Sequence, residues 1–148
     1  MTRTSVQALL LTALLAAPLA AVAQPAPVSV EQAWARATPG QSSVGALYLT
    51  LRAAAADRLA SLSTPVSGMA MLHETRDVGG TMQMRDLPGL ALPAGERVAM
   101  RPGGVHVMLM DLSHPLKFGE RFPVTLMFDH APPVTVQVTV ARAGASAP

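Results

Sequence analysis

The chain has 148 residues, the size of one domain, with a formal net charge of +2, nine Met, four His and no Cys. The missing Cys excludes thiol redox chemistry, Cys-ligated zinc or iron–sulfur centres, and a thiolate-bound blue copper. With no run of Lys or Arg and no stacking set of aromatics, nucleic-acid binding is set aside as well.

In chain order, residues 1–23 read as a secretory signal peptide. Arg3 supplies the positive start, residues 8–19 an apolar run, and Ala21-Val22-Ala23 the small-x-small cleavage pattern. The run is shorter than the roughly 20 residues a membrane-spanning helix needs. The mature chain is therefore expected to begin near Gln24 and to carry its copy of the fold over 24–140. Loss of Arg3 leaves about one net positive charge. The segment ending at Trp34 reads as extended, and "GALYLTLRA" (45–53) alternates Leu47, Leu49 and Leu51 against Ala46, Tyr48 and Thr50, the signature of a strand. Further β-favouring runs follow at 58–64, 69–76, 80–87, 97–102, 104–112, 121–128 and 133–140, separated by Gly, Pro and Asp. No amphipathic helix of ordinary length interrupts them. Seven to nine strands at this spacing predict an all-β, Greek-key antiparallel sandwich of two sheets in a single domain. Residues 141–148 read as a flexible tail.

Seven Met lie between Met69 and Met110, together with His73 and His106. Side chains two apart on a strand share a face. Met69, Met71 and His73 thus fall on one side of their strand, Met82 and Met84 on one side of theirs, and His106, Met108 and Met110 on one side of a third. A cluster of packing Met in a β core would give the same count. The alternative is a soft metal: thioethers are neutral donors that suit Cu(I), and neutral imidazole accepts copper too. Zinc favours nitrogen, thiolate or carboxylate, and calcium needs oxygen clusters that are absent here.

His73, Met84, His106 and Met108 fall at the spacing H-x10-M-x21-H-x-M. With the surrounding "MLHETRDVGGTMQMRDL" and "LPAGERVAMRPGGVHVMLMDL", this resembles the periplasmic copper chaperones called PCu(A)C, over residues 28–140. The resemblance implies a cupredoxin-like β-sandwich that binds one Cu(I) through His73, Met84, His106 and Met108. It also implies periplasmic delivery of copper for cytochrome oxidase assembly, to an oxidase subunit directly or through a thiol-bearing copper chaperone. Some family members add a His- and Met-rich C-terminal extension for Cu(II); "VARAGASAP" has neither residue. Met71 and Met82 are candidates for shielding the ion, whereas Met69 and Met100 read as core. His114 and His130 read as loop residues outside the site. The chain reads as a monomeric binding protein that stays out of the membrane after leader cleavage, and not as an enzyme, since no nucleophile set, paired carboxylates or three-His cluster emerges. Two other readings stay open: a structural or adaptor sandwich with a Met-rich core, and a copper storage or resistance protein without a dedicated oxidase partner.

Overall fold

The Leu47, Leu49 and Leu51 alternation forms the middle of the molecule in a computed structural model that describes residues 27–148. The expected leader, 1–23, lies outside the described residues. Those three leucines are at most 1% exposed, and they sit on β2 (Gly45–Ala53) facing a core that Val107, Leu109, Leu72, Val124, Leu126 and Val138 complete. The other strands are β1 (Val28–Arg36), β3 (Asp57–Ser63), β4 (Ser67–Val78), β5 (Thr81–Asp86), β6 (Leu90–Leu92), β7 (Arg97–Ala99), β8 (Val105–Leu112), β9 (Arg121–Phe128) and β10 (Val134–Ala141).

The architecture is all-β, as the sequence predicts, with two differences in how the layers are joined. Hydrogen bonding runs through one continuous path, β5-β4-β8-β2-β1-β10-β9-β3-β6, with β7 added to β2. The path folds back so that β3 packs on β4 and β6 on β2, which makes the two layers. In addition, β1 and β10 run parallel, with Trp34 opposite Thr139, within an otherwise antiparallel arrangement. Alternating hydrophobicity specifies which face of each strand is buried but not its neighbour, so neither feature is written in the local pattern. The three-residue strands β6 and β7 are too short for any periodic signal.

Two turns set the registers that matter. Gly79 and Gly80 both have positive φ (63° and 85°) and form the two-residue connection of the β4–β5 hairpin, where Asp77 Oδ1 accepts from Gly80 N at 2.7 Å. Before β8, Gly103 (φ 79°) permits the tight turn in which Gly104 N donates to Arg101 O and Arg101 N to Val105 O, both at 3.0 Å. After β10 the tail turns at residues 142–145: Ala145 N donates to Arg142 O, and Arg36 Nε donates to Ala145 O at 2.7 Å. No helix among the described residues is long and apolar enough to cross a membrane.

Candidate metal centre

β4 and β8 are antiparallel neighbours, and their register places Met69 opposite Met110, Met71 opposite Met108 and His73 opposite His106. Directly opposed side chains share a face. The intervening Leu72, Val107 and Leu109 point into the core and are buried, so the Met–Met–His ladder faces away from it. On the far side of β4, the Gly-Gly turn fixes Asp86 opposite His73, Met84 opposite Thr75 and Met82 opposite Asp77. His73 is thus the hub of the quartet: His106 stands across from it, Met108 lies diagonally on β8, and Met84 lies diagonally on β5. Diagonal neighbours in an antiparallel pair are about 7–8 Å apart at Cα, within reach of a long thioether.

The two imidazole rings meet edge to face, with centroids 6.0 Å apart and planes at 66°. His106 is buried, and its Nδ1 donates to the Gly104 carbonyl at 2.9 Å. That bond leaves Nε2 as the lone-pair nitrogen, the arrangement in which a backbone carbonyl orients a ligating imidazole. The same carbonyl accepts from Thr75 N at 3.1 Å, which ties the root of the β4–β5 hairpin to the turn that carries His106. Behind His106 stands the Tyr48 ring, 6.4 Å away, itself packed on Trp34 at 4.5 Å. Arg36 lies over the outer side of Tyr48, 5.7 Å from its centroid. Burial pushes the Tyr48 phenol up, with Arg36 opposing, so it remains neutral and protonated.

His73 differs from His106 in one respect: both of its ring nitrogens are buried and neither has a hydrogen-bond partner. Asp86 Oδ1 comes within 3.1 Å of Nε2 without the alignment of a hydrogen bond, and its side chain is largely exposed. A buried unpartnered imidazole nitrogen is costly unless something binds it. Among the described residues no three of His, Asp and Glu group closely enough to hold a metal ion. Besides Asp86, the donor side chains next to the pair on this face of the strands include the thioethers of Met71, Met84 and Met108, which suit a soft monovalent cation better than zinc or calcium.

The other residues singled out in the sequence fall as follows. Met71 is half-buried opposite Met108. Met82 is 59% exposed toward the hairpin tip, four residues along β5 from Asp86, or roughly 13 Å at strand spacing. Met100 is core, as expected. Met69 is not: it is 50% exposed, because it shares the outward face of Met71 and His73. Glu74 and Arg85 occupy the opposite face of the hairpin and pair at 2.7 Å; Arg85, then Arg76, hold the Glu74 carboxyl below its usual range. His114 and His130 lie away from the ladder, bonded to Glu120 (2.6 Å) and Asp57 (3.2 Å). Sequence reading missed Asp86 and Tyr48 as neighbours of the imidazoles. The Gly-Gly turn carried the register that reveals Asp86, but no local signal carried the β2–β8 pairing that brings in Tyr48.

The profile of the family described as "Putative lipoprotein LpqE-like" matches residues 28–140, which spans all ten strands but the last residue of β10. The chain belongs to the LpqE-like family, of PCuAC type. Among relatives of this LpqE-like chain, "Putative lipoprotein Lxx21020" of Leifsonia xyli subsp. xyli is 32% identical over 115 residues, covering 76% of this chain and 69% of the relative. The solution structure of CuI-DR1885 from Deinococcus radiodurans is 35% identical, with a TM-score of 0.65 over 80% of this chain and 81% of that one. The copper-bound PCuAC domain from PmoF2 is 27% identical, with a TM-score of 0.66 over 78% of this chain and 93% of that one.

Proposed function

We propose that this protein is an exported, non-enzymatic copper carrier that captures one Cu(I) with His73, Met84, His106 and Met108 and passes it to an acceptor protein. The carrying observation is the opposed His73–His106 pair, with His73 nitrogens buried and unpartnered and His106 Nε2 freed by the Gly104 carbonyl. The copper-bound state of similar domains supports the same assignment. All four donors are neutral, so the bound ion keeps its single positive charge and binding of the thioethers releases no proton.

The site is graded in depth. The imidazoles form its floor, Met108 is half-buried and Met84 is 54% exposed on the hairpin. An incoming donor from an acceptor meets the Met84 side first, and exchange of one exposed thioether opens the coordination shell without disturbing the floor. Exposed Met82 and Met84 give that rim an apolar surface suited to a transient contact. The acceptor is a cytochrome oxidase subunit or a thiol-bearing copper chaperone in the periplasm, reached after the leader through Ala23 is removed. The carrier works as a monomer.

Titration with Cu(I) against a chromogenic chelator tests the binding step. One tight equivalent is expected for the wild type, with affinity reduced at least a hundredfold by His106→Ala and by Met84→Ala. Equal, poor competition by the wild type and His106→Ala would overturn the proposal.

A further inference from the structure

The outward ladder does not end at Met108. One step further from the imidazoles, Met69 and Met110 face each other directly, and Met71 sits between that pair and His73 on the same face. We propose that Met69, Met110 and Met71 form a second site for a soft monovalent cation, Cu(I) or Ag(I), built entirely from thioethers. The three sulfurs come from two paired strands whose spacing places opposed Cβ atoms about 4.5–5.5 Å apart, so flexible thioethers can converge on one ion. The strands are pinned beneath the pair: the Ser67 hydroxyl lies 2.6 Å from both the Met69 and the Met110 carbonyl oxygens.

Packing does not account for these side chains. Met69 is 50% and Met110 36% exposed, and both face away from the core that Leu72 and Leu109 fill. Thioether donors without any nitrogen or carboxylate select closed-shell soft cations and leave zinc, calcium and magnesium unbound. Two residues of strand separate the Met69–Met110 pair from the Met71–Met108 level, roughly 7 Å. Two monovalent cations at that separation repel each other, which makes the thioether site the weaker and later one to fill. It is a site distinct from the His-containing one, and its existence does not depend on that reading.

Silver(I) is the probe, because it is soft and does not change oxidation state. Native mass spectrometry of the full mature chain should show two Ag(I) per molecule, and methyl-labelled Met spectra should show Met69 and Met110 shifting with the second equivalent only. The M69L/M110L variant keeps apolar bulk at two exposed positions but removes the sulfurs. It should retain the first equivalent and lose the second, with its dissociation constant raised more than tenfold. A second equivalent that survives unchanged in M69L/M110L, or a wild type whose single equivalent is lost in His106→Ala, would overturn the site. A single equivalent that persists in His106→Ala and is lost in M69L/M110L would instead sink the carrier proposal and leave this one standing. A surface serving only protein docking would tolerate leucine, so the variant separates that use from metal binding.

Discussion

At the scale of single residues, the fold holds strain beside the ladder. Asp111 has φ 54°, a left-handed conformation that costs an L side chain roughly 1–2 kcal/mol, less for Asp than for bulkier residues. Its partner across the strands is Gly68, where an added Cβ would come within 3.1 Å of Asp111 Cβ. Asp111→Gly is therefore expected to stabilise the protein by about 0.5–1 kcal/mol in urea unfolding, and Gly68→Ala to destabilise it. Neither change removes a proposed ligand, so the His106-dependent equivalent should be unaffected. Much of the candidate site's geometry was legible at this scale: His73 and Met71, and likewise His106 and Met108, share faces through parity alone. Asp86 was not, since its place beside His73 depends on how the hairpin closes.

At the scale of elements, the two-glycine turn sets the position of Met84. With both residues at positive φ, β5 can pair only so that Asp86 meets His73 and Met84 meets Thr75. Gly80→Val forces a β-branched side chain into that region and is expected to cost about 1–2 kcal/mol, while weakening Cu(I) binding as the hairpin register loosens. Amide exchange confined to residues 75–86 would check the locality of the effect. A second element-level lock is the Asp57 carboxylate on β3. It accepts from Arg58 N (2.7 Å), Ala131 N (2.8 Å) and His130 N (3.1 Å), which fastens the β9–β10 loop. Desolvation pushes this carboxyl up, but the backbone donors of Arg58 and Ala131 and the two from His130 outweigh it and bring it to about 2, from an ordinary value of 3.8. A carboxyl lowered by folding contributes its full stabilisation above about pH 4 and loses it as pH falls through about 2. Acid unfolding should thus steepen between pH 4 and 2 in the wild type, and Asp57→Asn should flatten that segment. The Asp57 clamp, like the parallel β1–β10 pair, joins segments far apart in sequence, which is why periodicity did not reveal it.

At the scale of the molecule, the core residues and the proposed metal ligands occupy opposite faces of the same strands. Leu109 is fully buried between Met108 and Met110, which point outward. Leu109→Ala should cost about 2–5 kcal/mol of stability through the cavity it leaves, whereas Met84→Ala, at an exposed rim, should cost little in the apo form and abolish most of the stabilisation by Cu(I). Thermal melts of both variants with and without one equivalent of Cu(I) separate the two roles. The class of fold and the buried face of each strand followed from alternating leucines and valines. The order of strands in the sheet followed from long-range pairing that no local run encodes, and it is that order which sets β4 against β8 and makes the imidazoles neighbours.

X-ray absorption on the protein loaded with one Cu(I) tests the central claim most directly. Equal numbers of sulfur and nitrogen scatterers are expected, with a sulfur lost in Met84→Ala and a nitrogen lost in His106→Ala. A first shell without sulfur, or one that neither substitution alters, would contradict it.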